Sequence, residues 1–162
     1  MSSWDEILEQ NVVSDGSCIV AGLANAADCA FYAAAPVANS FGWAGVWSEP
    51  HVQQIEVDVD RFENVQIEES RILHQALITG SAPHGLWLGK NKYKVVRLDT
   101  DFEVAGKAVR LLFASRPKGG VHIASTGTTV LIGVYSEERG QTSAAARQAV
   151  LRFAEYLLNN GY

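Results

Sequence analysis

The sequence predicts an α+β domain in which helices bracket an antiparallel sheet. Three observations lead there. A helix-start signature stands at the beginning of the chain and an apolar helical stripe at its end. Between them lie short β-prone runs separated by turn residues, without the strand–helix alternation of a parallel sheet. The 162 residues are read as one domain over 1–162, large enough to bury about two thirds of its unfolded surface without disulfide or metal.

Ser3-Trp4-Asp5-Glu6 reads as a capping box: a serine N-cap, a glutamate three residues on, and two acids where the helix dipole favours them. A helix should run from Trp4 to near Asn11. Cys18 to Leu23 and Cys29 to Ala34 are apolar, split by Ala24-Asn25-Ala26-Ala27-Asp28, and read as two central strands. Pro36 to Arg61 loses any period, is punctuated by Gly42, Gly45 and Pro50, and is expected to be a long loop carrying Phe41, Trp43 and Trp47. Glu68 to Ile78 has the helical stripe Ile72, Leu73, Ala76 and Leu77, with Gly80 placed to end it.

Leu86-Trp87-Leu88 and Tyr93 to Leu98 flank Gly89-Lys90-Asn91 as a hairpin, the second run alternating basic and apolar residues. Phe102 to Ala108 is expected as a further strand, and Ala108 to Gly119 as a short helix or arm, its Leu111, Leu112 and Phe113 an apolar anchor between Arg110 and Arg116. The competing reading is that those three residues extend the core. Val121 to Ser125 and Thr129 to Tyr135 form a second hairpin turning at Thr126-Gly127-Thr128. Ser143 to Asn160 is a long helix with Ala146, Val150, Phe153 and Leu157 as its buried stripe and Gly161 as its stop.

Composition excludes several classes of function. No apolar run approaches the ~18 residues of a membrane span, and Met1 to Asn11 is too acidic for a signal peptide, so the chain is expected to be cytoplasmic. Cys18 and Cys29 lack CxxC spacing and a nearby histidine, and read as small core residues. No phosphate loop, dinucleotide fingerprint, nucleophile elbow or metal-binding His/Glu pair is present, so no catalytic residue, cofactor or metal is expected. Of His51, His74, His84 and His122, only His122 near Ser125 suggests a nucleophile, and no third orienting residue stands at readable spacing. The basic residues lack interleaved aromatics, which argues against nucleic acid.

Charge is unevenly distributed. Residues 1–60 contain no Lys or Arg, so all the basic residues lie from Arg61 onward, a bias that points to an acidic partner for the later half. Both ends of the chain also carry aromatics, Trp4, Tyr156 and Tyr162. Terminal helices lying side by side would bring these rings together on a surface made for contact.

Trp4 in its short helix, Gly85-Leu86-Trp87-Leu88-Gly89-Lys90-Asn91-Lys92-Tyr93-Lys94-Val95-Val96-Arg97, Gly120 with Thr128-Thr129-Val130-Leu131-Ile132-Gly133-Val134-Tyr135, and Phe153-Ala154-Glu155-Tyr156-Leu157-Leu158 closing on Gly161-Tyr162 together resemble the profilin family. The apparent insertions, part of Pro36 to Arg61 and Ala108 to Gly119, resemble those of protozoan profilins. The resemblance implies a central antiparallel sheet with the N- and C-terminal helices side by side on one face and a further helix on the other. It implies a non-enzymatic cytoskeletal protein that binds monomeric actin, controls its polymerisation and nucleotide exchange, and binds proline-rich proteins such as formins. Acidic phosphoinositides are a further implied ligand.

By resemblance the polyproline groove comprises Trp4, Tyr156 and Tyr162, with Ile7 where many profilins have a second N-terminal aromatic. Its floor aromatic falls at Tyr32, with Phe31 by a one-residue slip, or Trp43 or Trp47, as alternatives. The implied actin face comprises Arg97, Lys107, Thr142, Arg147, Gln148 and Leu151, to which the Ala108 to Gly119 segment would add Leu112 and Phe113. Two other readings compete: a profilin-like phosphoinositide or membrane-traffic adaptor with reduced actin binding, and a small α+β enzyme. Convergence of Trp4, Tyr156 and Tyr162 on one open groove separates binding from catalysis.

Overall fold

The computed structural model describes residues 3–162. Ser3 caps the first helix, α1 (Trp4–Leu8), its hydroxyl accepting from the Glu6 amide at 3.2 Å. One π-helical turn (Glu9–Val13) extends it, so the N-terminal helix runs slightly past the expected boundary. The strands β1 (Val20–Asn25) and β2 (Phe31–Ala35) follow, then the short helix α2 (Phe41–Val46). Next come a hairpin of β3 (His51–Asp58) and β4 (Arg61–Ile67), the helix α3 (Glu69–Thr79) and β5 (Leu86–Leu88). The chain ends with β6 (Asn91–Val104), β7 (Lys107–Arg116), β8 (Gly119–Ser125), β9 (Thr129–Ser136) and the long helix α4 (Ser143–Asn159).

Seven strands form one antiparallel sheet in the order β2-β1-β9-β8-β7-β6-β5, and β3-β4 form a separate ribbon. One face packs against the N-terminal helix and α4, burying Leu8, Val12, Ala146, Val150, Phe153 and Leu157 with Leu23 and Leu131. The other packs against α2 and α3, burying Val46, Leu73 and Leu77 with Ile123 and Ile132. The predicted layering is therefore present, with two helices rather than one on the second face. Close seating of α4 depends on Gly133 of β9. A Cβ there would lie 2.6 Å from a Val150 methyl and 3.0 Å from the Cys18 sulfur, so any side chain would push the helix off the sheet. Cys18 and Cys29 are free buried thiols, each pushed up to about 12 chiefly by burial, consistent with a packing role.

Four sequence expectations are corrected. β2 is an edge strand, not a central one, and its exposed backbone is covered by the N-terminal helix. The Ala34 amide donates to Asp5 at 2.9 Å and the Val37 amide to Glu9 at 3.2 Å. The expected loop from Pro36 to Arg61 instead contains α2 and most of the β3-β4 hairpin. That hairpin turns at Val59-Asp60 without a glycine, so the usual turn signal is missing. The expected strand Phe102 to Ala108 is broken by a two-residue turn at Ala105-Gly106, both at positive φ, where Val104 faces Lys107.

The fourth correction concerns Ala108 to Gly119, which forms most of β7, paired on both sides within the sheet. Leu111 enters the core under α4 and Leu112 the core under α3. A strand covered on both faces reads as a continuous apolar run rather than an alternation. Leu112 is fully buried and is not an actin-binding surface residue. The reading of this stretch as core holds for Leu111 and Leu112, whereas Phe113 is only partly buried.

The base of the β3-β4 hairpin hangs on one buried carboxylate. Glu69 accepts from the amides of Ser48 (3.0 Å), Gly89 (2.7 Å) and Lys90 (2.8 Å), and meets the His51 Nε2 at 2.8 Å. Gln53 in turn lies 2.9 Å from the His51 Nδ1, and the Trp87 ring packs edge-on to the imidazole. Four groups from two segments distant in sequence thus share two oxygens. Glu69→Ala leaves these part-buried groups without their shared partner, and should lower the unfolding free energy by about 3–5 kcal/mol in urea titrations. A loss under about 1 kcal/mol would show that water replaces the carboxylate without cost.

Candidate functional site

The aromatics of the two chain ends do meet. α4 ends in a Schellman motif: the Tyr162 amide donates to the Leu157 carbonyl at 2.9 Å and the Gly161 amide to the Leu158 carbonyl at 3.2 Å. Gly161 at φ +84° takes the left-handed conformation this reversal requires, where a side chain would be strained. The turn folds Tyr162 back so that its ring lies edge-on to Trp4, centroids 4.9 Å apart. Trp4 and Ile7 are half-buried against the core beneath the terminal helices, so each both packs and borders the surface.

Tyr32 joins them through a β-bulge. Leu23 pairs with Ala33 and Ala24 with Phe31, leaving Tyr32 as the extra residue of β2. A bulge re-aims the extra side chain, here toward Thr129 and Tyr162. Burial raises the Tyr32 phenol above its ordinary range, the Thr129 hydroxyl opposes the shift, and the nearby Tyr162 phenol adds to it. Phe31 and Trp43 pack into the core on the other face, and Trp47 lines a hollow beside α3. Of the aromatics considered for the groove floor, Tyr32 is the one that joins the terminal cluster. Tyr156 is 44 % exposed on the same helix, packed edge-on against Phe153 at 5.4 Å. The result is an open surface of Trp4, Tyr32 and Tyr162 bordered by Ile7, with Tyr156 on the adjoining turn of α4.

A second surface lies at the other end of α4. Thr142 caps this helix, its hydroxyl accepting from the Ala145 amide at 3.2 Å. Arg147 and Gln148 are exposed on its next turns, and Leu151 packs partly into the core. Beneath Arg147 is a hollow of about 220 Å³ lined by Arg97, Asp99, Leu111, Phe113, His122 and Ser143. Arg97 pairs with Asp99 at 3.1 Å, whereas the Arg147 guanidinium lies 5.1 Å from the Phe102 ring centroid with no carboxylate partner among the described residues. Phe113 of β7 reaches this hollow by stacking on His122 at 4.7 Å. Lys107 is exposed at the β6-β7 turn.

Phe102, His122 and Ser143 were not singled out by the sequence for this surface. No local spacing marks them: His122 lies on the α4 side of β8, opposite Phe113 in cross-strand register. His122 is only 3 % exposed, and its Nε2 is 3.0 Å from the Ser143 hydroxyl rather than from Ser125. Among the described residues no carboxylate bonds to it. Its pKa is lowered to about 4, first by burial and then by Arg147, with the contact to Ser143 opposing the shift. Among the described residues no His/Cys/Asp/Glu group is arranged to hold a metal ion, and no helix is long and apolar enough to cross a membrane.

Comparison with known proteins agrees with the fold. The profilin family model matches residues 2–162. A profilin of Plasmodium falciparum is 27% identical over 161 residues, covering 96% of this chain and 94% of the relative. A Plasmodium berghei profilin is 27% identical over 164 residues, covering 98% and 94%. Among solved structures, Acanthamoeba castellanii profilin II superposes with a TM-score of 0.67 at 20% identity, covering 99% of this chain and all of that one. Mouse profilin IIa, in complex with a double repeat from the FH1 domain of mDia1, superposes at 0.58 with 17% identity, again covering 99% and 100%.

The buried imidazole makes stability depend on pH in a definite direction. Between the ordinary histidine value of about 6.5 and the folded value of about 4, the unfolded chain binds a proton at His122 that the folded chain refuses, so stability falls as pH falls through this window. In urea titrations at about pH 7 and about pH 5, the wild type should lose more stability than His122→Gln. Equal losses would show that His122 titrates normally.

Proposed function

The chain belongs to the profilin family of actin-binding regulators, and from that premise we propose that it binds monomeric actin and proline-rich segments at opposite ends of α4. In this reading it controls polymerisation and nucleotide exchange on actin and receives assembly factors through their proline-rich stretches. The observation that carries the reading is the Trp4–Tyr162 contact, because it joins aromatics from the two chain ends into one open surface. A polyproline helix is already extended and loses little entropy on binding, so flat rings flanked by phenol hydroxyls suit it. The FH1 repeat in the mouse profilin complex supports this assignment. Ile7 makes one wall aliphatic, which reduces stacking area.

For actin, the support is electrostatic and geometric. Arg147 is held over Phe102 with its charge unneutralised, beside the hollow lined by Arg97, Phe113 and His122. A fixed, exposed guanidinium above a small apolar recess is the pattern of a rim charge around an anchor pocket. Lys107, Thr142, Gln148 and Leu151 complete the surface. Actin is acidic over most of its surface, and residues 61–162 hold all of this chain's lysines and arginines.

Two substitutions separate the sites. Arg147→Glu should weaken sequestration of monomeric actin and flatten its salt dependence, with polyproline affinity unchanged. Tyr162→Ala should do the reverse, weakening a polyproline peptide by about 2 kcal/mol with actin affinity unchanged. If either folded variant leaves both affinities at the wild-type level, that site is misplaced.

A further inference from the structure

The arginines divide sharply by partner. Arg61, Arg71, Arg97 and Arg152 pair with carboxylates, and Arg110 donates to the carbonyls of Leu77 and Ile78. Arg116, Arg139 and Arg147 have neither kind of partner among the described residues, and each lies over an aromatic ring. Arg147 belongs to the surface already described. The other two lie elsewhere: Arg116 is 5.3 Å from the Tyr93 ring centroid and Arg139 is 6.0 Å from that of Phe41. Both rings line a hollow of about 260 Å³ with Ile19, Val20 and Val134, on the side of the sheet that carries α2. A guanidinium lying on a ring keeps its N–H edge free, pre-set to grip a carboxylate.

A surface of matching character stands on the β3-β4 hairpin. Its tip exposes Val57 (40 %), Val59 (83 %) and Phe62 (53 %), apolar residues interleaved with Glu56, Asp58, Asp60 and Glu63. The one cation there, Arg61, is already paired with Glu63. Exposed apolar side chains on a ribbon with two open edges are costly unless something covers them. An acidic tip calls for a locally basic acceptor and is a poor match for an anionic membrane. It is also absent from the lining of its own molecule's hollow.

We propose that the hairpin tip of one copy docks in this hollow of a second copy, which Arg116 lines and beside which Arg139 lies over Phe41. Tip apolar residues enter the recess between Tyr93 and Phe41, and tip carboxylates meet the two free guanidinium edges. Donor and acceptor surfaces differ, so the contact is head-to-tail and extends into short chains unless the rotation closes a ring. A contact confined to a hairpin tip is small and therefore weak and reversible. It uses neither the aromatic surface nor the Arg147 surface, so it stands independently of the function proposed above.

Sedimentation equilibrium of the full chain, from micromolar to millimolar protein and at low and high salt, tests this. The wild type should show a mean mass above the monomer that rises with concentration and falls with salt. Asp58→Arg/Asp60→Arg and Arg116→Glu/Arg139→Glu should each weaken association about tenfold. Mixing the two charge-reversed chains should restore it, since each then offers the surface the other needs. Both variants alter exposed or rim positions, and circular dichroism checks that each is folded. A wild type that stays monomeric throughout overturns the proposal, whether the hollow instead takes an acidic segment of another protein or nothing. So does association that survives both reversals, or a mixture that stays monomeric.

Discussion

Gly133 has no side chain to hold α4 away from β9, and the arrangement of both candidate sites follows from that close approach. Because Val150 and Cys18 fill the space a Cβ would take, the helix lies directly on the sheet next to the N-terminal helix, and Leu8, Val12, Phe153 and Leu157 close one core between them. A helix of 17 residues spans about 25 Å. Its first turns therefore overhang β6 to β8 while its last turn reaches Trp4 and β2. One rigid element sets the positions of the Arg147 surface and the aromatic surface, and their separation is a property of helix geometry.

Where the sheet ends, different devices protect it. At β2 the acids of the N-terminal helix take up backbone amides that a free edge would expose, and the same contacts fix α1 so that Trp4 faces Tyr162. Near β5, Glu69 gathers amides from the α2-β3 connection and the β5-β6 turn and holds the foot of the β3-β4 hairpin through His51. The hairpin is thus fixed at its base and unprotected at its tip. The charges of the first 60 residues, all acidic, serve in part as these backbone acceptors rather than as solvated surface.

Much of this was legible in the residues. The serine N-cap at Ser3, the stripe of α4 and the hairpin at Thr126-Gly127-Thr128 each carry a strong local signal, and each forms where expected. What failed lacked such a signal. β7 is covered on both faces, so its Leu111-Leu112-Phe113 run shows no alternation and resembles an exposed anchor. The β3-β4 hairpin turns at Val59-Asp60 and the β6-β7 hairpin at Ala105-Gly106, neither a pair that announces a turn. For the sites, Trp4, Tyr156 and Tyr162 stood out as aromatics at chain ends. Tyr32 is brought in by a bulge, and His122 and Phe102 by cross-strand register; these are tertiary facts that no local pattern records.

In the proposed function α4 carries two independent binding surfaces, one at each end. The most direct measurement is the affinity of a polyproline peptide for the chain alone and for the chain saturated with monomeric actin, followed by peptide fluorescence. A ternary complex should form, with a peptide dissociation constant that actin leaves unchanged within about twofold. Displacement of the peptide by actin would contradict it, since two ligands on separated ends of one rigid helix have no reason to exclude each other.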